Sequence, residues 1–186
     1  MPATLAYHLV KSAYGLWLPG DERGTWSASW DEDIGYIDPH SLHSEDPARL
    51  RMAAERMAHP PLRWNHEIQQ VIASTIGECR RQSEWRAVAF AIEATHFHLI
   101  ISYSGADIDR TAKWIAQQVS KAVHRMTDHQ TPVFCKGRWR EFIYENEHYR
   151  NLINYVENHN VSHGLSRRPY EWIGTSCQAG DGMGDS

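Results

Sequence analysis

The stretch that most restricts the fold is a pair of β-like runs at 86–92 (RAVAFAI) and 96–103 (HFHLIISY), separated only by Glu93, Ala94 and Thr95. Three residues cannot hold a crossover helix, which needs about a dozen, so the two runs pair antiparallel as a hairpin. A lone hairpin is marginal in water, and its apolar side chains need helices to cover them. The chain offers such helices before and after it. From 65 to 84, Ile68, Val71, Ile72, Ile76 and Cys79 recur at three- and four-residue steps behind Asn65, the pattern of a capped amphipathic helix. Asp109 is expected to cap a second helix, with Ile115, Val119, Ala122 and Met126 facing the core.

The remaining segments fit around that unit. Residues 7–14 (YHLVKSAY), ended by Gly15, read as a first strand. The turn-rich WLPGDERG follows, then a polar, Trp-bearing loop to about Asp46. Pro47 behind Asp46 opens a short helix with Leu50, Ala54 and Met57, which ends before Pro60 and Pro61. Residues 134–144 (FCKGRWREFIY) read as a further strand, and Asn146 as the cap of a third helix to about Asn158. The Gly- and Ser-rich tail after Trp172 is expected to fray. Strands and helices in this order predict an α+β fold, an antiparallel sheet of the ferredoxin-like (RRM-like, split βαβ) kind with helices packed on one face.

With 186 residues the chain suits one domain, and no apolar run approaches the roughly 20 residues that cross a bilayer. Its start lacks the charged-then-apolar pattern of a secretory signal, which places the protein in the cytoplasm. Cys79, Cys135 and Cys177 are too widely spaced for a disulfide framework or a zinc knuckle. A net charge of −4 argues against a nucleic-acid partner until its distribution is seen. Residues 21–46 hold eight acids against Arg23 alone, whereas residues 110–140 hold seven bases against Asp128 alone. Placed on one face, Lys113, Lys121, Arg125, Lys136, Arg138 and Arg140 would track a phosphate backbone; otherwise they form a solvated helix face. Trp139, among them, is either a base-stacking platform or a core residue. The acidic loop with Trp17, Trp26 and Trp30 reads equally as a lid, a partner surface or a plain insertion.

Side chains alternate along a strand, so His96 and His98 project from one face, about 7 Å apart, and can grip one metal ion. The alternative is a pair of ordinary surface or core histidines. On the third helix, Tyr149, Leu152, Ile153 and Val156 make an apolar stripe at about 100° per residue. Tyr155 and His159, four apart, stack on its flank, and His148 falls on the same flank. There they set a phenol and an imidazole over the strand histidines, or serve as a core-edge aromatic and a residue favoured by the helix dipole.

HFH followed by LII, with a later helix reading NYVENH, resembles the HUH motif and tyrosine helix of the single-tyrosine (IS200-like) transposases. The close, NYVENHNVSHGLSRRPYEW, is similar to that of the transposases associated with repetitive extragenic palindromes, and the opening YHLVKSAYGLWLPGD is also like that group. The resemblance spans about residues 5 to 173 and is weakest over 25–61, which compact members lack. It implies one domain over residues 1–173 with an insertion at about 17–64 and a flexible tail at 174–186. It further implies the HUH endonuclease fold and cleavage and rejoining of single-stranded DNA beside hairpins. In that scheme Tyr155 is the nucleophile, forming a 5′-phosphotyrosine and a free 3′-hydroxyl. His96, His98 and His159 hold a divalent metal, Mg2+ or Mn2+. The family usually has Gln or Asn where His159 stands, and three imidazoles favour Mn2+, Co2+ or Zn2+ over Mg2+, with Mn2+ the expectation here. The implied partner is single-stranded or hairpin DNA, with a homodimer as one possible assembly and no membrane.

Rival readings have less support. A nucleotide hydrolase of the HIT type needs a histidine where Ile100 stands, and an HxHxDH metallohydrolase needs Asp and His at Leu99 and Ile100. A second YxxxH, Tyr144 with His148, spans a strand end and a helix start rather than one helix. A catalytically inactive relative that binds hairpin DNA or RNA would have no need of the four residues His96, His98, Tyr155 and His159.

Overall fold

The computed structural model describes residues 3–22, 29–31, 35–37, 45–103, 105, 107–135 and 139–174. Among these residues the elements are β1 (Ala6–Ser12), β2 (Ser29–Asp31), β3 (Gly35–Ile37), α1 (Pro47–Glu55), α2 (His66–Arg81), β4 (Ala87–Ile92), β5 (His96–Ser102), α3 (Ile108–Met126), β6 (Trp139–Ile143) and α4 (Asn146–Ser162). Four strands form a sheet in the order β4-β5-β1-β6, every neighbouring pair antiparallel. β1 and β4 therefore run parallel with β5 between them, and β5 and β6 run parallel with β1 between them. Two interleaved split βαβ units of this kind make the ferredoxin-like α+β arrangement.

The helix starts carry their expected chemistry. Asn65 Oδ1 accepts from the Ile68 amide, and Asp46 Oδ1 accepts from Ala48 and Arg49 behind Pro47. α3 begins two residues earlier than predicted, because Asp107, not Asp109, accepts from the amides of Asp109 and Arg110. Asn146 is the first residue of α4 rather than its cap, and the helix runs to Ser162, four residues beyond expectation. It stops at Gly164 (φ 76°), where the Leu165 amide donates to Asn160 O and the Gly164 amide to Val161 O.

Helices cover both faces of the sheet, not one. On the first face Tyr7, Leu9, Phe90, Phe97, Leu99 and Ile101 pack with Ile68, Ile72, Ile76 and Cys79 of α2 and Ile115, Val119, Ala122 and Val123 of α3. Met126, expected in this core, is the last residue of α3 and is 56% exposed. On the second face Ala6, Val88, Ala89, Ala91, Ile100 and Ile143 receive Val156 of α4, flanked by Tyr149, Leu152 and Ile153. Period-two alternation explains the split, and an irregularity between Ala87 and Ala89 re-phases β4 so that Phe90 and Ile92 still reach the first face.

Within the expected 134–144 strand, β6 covers Trp139–Ile143, Phe134 bridges Ala13 and the Cys135 amide donates to Ser12 O; residues 136–138 lie outside the described residues. Part of the expected acidic loop is a small β2–β3 hairpin, with Trp30 opposite Tyr36. Among the described residues no helix is long and apolar enough to cross a membrane. The tail beyond residue 174 lies outside the described residues.

The segment after α4 folds back over the first face. Trp172 packs against Phe90 and Tyr170, and the Gly174 amide donates to Ala87 O. Gly77 of α2 admits this indole: a Cβ there would stand 2.5 Å from Trp172 Cδ1. Gly77→Ala should therefore cost about 1–3 kcal/mol despite alanine's better helix propensity. Urea denaturation checks this, with a lowered midpoint and an unchanged slope as the expected outcome.

Candidate active site

Where the second face runs beyond the α4 contact, its apolar row gives way to imidazoles. His8 follows Ala6 on β1, and His98 and His96 follow Ile100 on β5, each two residues on and hence on the same side. The Nε2 atoms of His96 and His98 meet at 2.9 Å. His96 Nδ1 is 2.6 Å from Glu93 Oε1 and 2.9 Å from Thr95 Oγ1, both in the β4–β5 turn. His98 Nδ1 lies 3.0 Å from His8 Nε2, the two rings stacked at 17°.

α4 adds its residues from above. The His159 ring centroid lies 5.0 Å from His98 and 6.2 Å from His96, and the Tyr155 ring lies 4.8 Å from His159 and 5.5 Å from His98. Tyr155 is 49% exposed, so its phenol is open to a large substrate although it touches a buried histidine. The four residues that the sequence singled out for chemistry thus stand in one cluster.

Burial, followed by the neighbouring His96, His8 and His159, pushes the pKa of His98 from 6.5 down to about 2. Burial, followed by His148, pushes His8 down to about 4. His98 therefore stays neutral near pH 7, the form that can donate a lone pair to a metal. Each Nδ1 of the β5 pair is engaged by another side chain, as in histidines oriented for metal binding, and their Nε2 atoms converge. The donors of this pair fit a divalent ion. Among the described residues, no group of three or more His, Cys, Asp or Glu is arranged as a complete ligand set.

His148, expected on the tyrosine flank, pairs with Glu141, with Nε2 at 3.1 Å from Oε1. Tyr144 stacks with Phe142 at 10°, in the aromatic group that includes Tyr7. The rival pair is thereby divided between two neighbourhoods. Lys113 and Lys121 line a groove of about 640 Å3 between α3 and the first face, over Leu9, Phe97 and Leu99. Lys121 and Arg125 also border a small cleft between α3 and α2. Arg140, opposite Leu9, bonds Asp109 at 3.0 Å. Of the candidate DNA-binding residues, Lys113, Lys121, Arg125 and Arg140 thus belong to the first face of the sheet, opposite the face that carries Tyr155. Lys136, Arg138 and the Trp139 side chain are outside the described residues.

His8, Glu93 and Glu141 went unnoticed in the sequence. His8 left one trace, a polar residue on the alternating inward row of a strand otherwise fit for burial. Glu141 left none, because only the β1–β6 register sets it opposite His8.

A solved structure of a REP-associated tyrosine transposase bound to a REP hairpin is similar to this chain at 12% identity, with a TM-score of 0.48, covering 90% of this chain and 73% of the other. No family profile matches the chain, and no curated protein matches it.

The depressed pKa values make stability depend on pH. Unfolded histidines take up a proton below about 6.5 while His8 in the fold does not until about pH 4, so stability is full above 6.5 and declines as pH falls between those values. Urea titrations with chelator present should show a loss of about 2 kcal/mol from His8 by pH 5. His8→Gln should make the decline shallower.

Proposed function

We propose that the protein is a metal-dependent single-stranded DNA endonuclease or transposase of the HUH single-tyrosine kind, with Tyr155 as nucleophile. The observation that carries this reading is the meeting of an exposed phenol, Tyr155, with His98 and His159 beside the convergent His96–His98 pair. The resemblance of HFH and NYVENH to the family's motifs assigns the same residues from an independent direction.

In the proposed reaction the Tyr155 oxygen attacks the scissile phosphorus and loses its proton. The bond from phosphorus to the 3′ oxygen breaks, and that oxygen leaves as a hydroxyl after taking up a proton. The 5′-phosphotyrosine ester keeps the bond energy, so a second 3′-hydroxyl can reverse the step and rejoin strands. A divalent ion at this site supplies Lewis-acid polarisation of a nonbridging phosphate oxygen. His96 and His98 would hold it through Nε2, and His159, whose ring stands beside both, would be the third ligand that the family resemblance implies. Three imidazoles favour Mn2+ over the oxygen-loving Mg2+. The exposure of Tyr155 on the helix surface suits a single strand or the flank of a hairpin as substrate.

Labelled single-stranded hairpin DNA incubated with Mn2+ should yield a covalent protein–DNA adduct on a denaturing gel, lost on adding chelator. Tyr155→Phe should reduce the adduct to background, Tyr144→Phe should leave it intact, and His98→Ala should lower it by at least about 100-fold. An adduct that survives Tyr155→Phe would refute the nucleophile. Activity with Mg2+ and none with Mn2+ would refute the metal preference, and binding without any adduct would favour a hairpin-binding relative that no longer cuts.

A further inference from the structure

The buried imidazole of His8 has no part in the reaction just described, yet it is only 3% exposed and its Nε2 touches His98 Nδ1 at 3.0 Å. We propose that His8, backed by Glu141, is a positioning residue that fixes His98 as its Nδ1–H tautomer and so keeps the His98 Nε2 lone pair turned to the metal. This inference rests on the metal-site reading above and adds residues that neither the HUH motif nor the tyrosine helix contains.

Glu141 sets the direction. Its Oε2 lies 3.8 Å from His8 Nδ1, and a carboxylate at that distance favours an N–H over a lone pair there. A neutral His8 protonated at Nδ1 has a bare Nε2, which accepts the His98 Nδ1–H. His98 is then left with a bare Nε2. On the far side, Glu93 beside His96 Nδ1 imposes the same tautomer on His96. The two bare Nε2 atoms, 2.9 Å apart, turn their lone pairs towards the same space, which suits a cation there. With the opposite tautomer His8 would turn a lone pair towards Glu141.

The frame around this relay is rigid. His98 is opposite Val10 on β1, so His8 and His98 are diagonal neighbours on one face. His148 Nε2 holds the second Glu141 oxygen at 3.1 Å, tying the outer end of the relay to α4. Outer partners of metal-binding histidines typically influence affinity by about 10–100-fold.

Two readouts test the relay. Long-range 15N–1H spectra of the metal-free protein at pH 7.5 should show His98 protonated at Nδ1. Titration calorimetry with Mn2+ should show His8→Phe weakening affinity by about 10–100-fold, while His8→Gln, whose amide oxygen can accept the same hydrogen bond, stays within a few-fold of the parent. Should His8→Phe fail to fold, Glu141→Leu, on a half-exposed position, should weaken Mn2+ binding in the same direction and raise the Nε2–H form of His98. An Nε2–H tautomer in the parent overturns the proposal, as does a folded His8→Phe or Glu141→Leu that binds Mn2+ as tightly as the parent. If the parent binds no Mn2+ at all, the metal reading fails, and the spectra still decide whether His8 and Glu141 set the His98 tautomer.

Discussion

The packing of α4 on the second face of the sheet is the contact on which the site depends. A ferredoxin-like sheet covered only by its two crossover helices would leave one row of alternating side chains in water. Here Ala6, Ala89 and Ala91 keep that row low and Val156 settles onto it, fully buried. Small residues at the contact let the helix axis come close, and dispersion and burial then hold it there. Because Tyr155 immediately precedes Val156 and His159 follows one turn later, the same seating that buries the valine brings the phenol and the imidazole to the strand histidines. The C-terminal segment reinforces it: Glu157 is buried between Arg167 and Arg168, and Asn160 donates to Phe90 O and Arg167 O.

The two faces of the sheet have become chemically different. One is a conventional core of aliphatic and aromatic residues between α2, α3 and the strands. The other changes along its length from alanine and valine to histidine, and there the low dielectric matters more than the local charge. Burial keeps His8 and His98 neutral, and neutral imidazoles both ligate metals and pass hydrogen-bond direction from one ring to the next. The carboxylates sit at the two ends of the row, Glu93 beside His96 and Glu141 beside His8, so each end has a defined polarity.

Much of this was legible in the chain. The amphipathic period of α2, the three-residue turn between β4 and β5 and the Asn65 and Asp46 caps are local signals, and the elements formed where those signals lie. The elements at the ends of the α3–β6–α4 region were less legible. Asp107 and Asp109 are both competent caps, and the structure uses the first, with Ile108 buried in the core directly behind it. Likewise, 134–144 is β-prone throughout, but no local pattern says which of its residues pair; among the described ones, Trp139–Ile143 pair with β1 and Phe134 bridges Ala13. The charge block at 110–140 was visible as a block, but its face was not, since which side of α3 meets the sheet depends on its apolar stripe.

By itself the sequence determined that His96 and His98 share a side of one strand and that Tyr155 and His159 share a flank of one helix, because both follow from the periods of 2.0 and 3.6 residues that any strand or helix imposes. Only the tertiary structure decided that the strand's side and the helix's flank face each other, that helices cover both faces of the sheet, and that His8 and Glu141 join the row. Those relations depend on strand order and register between residues up to 137 apart, which no local period can encode.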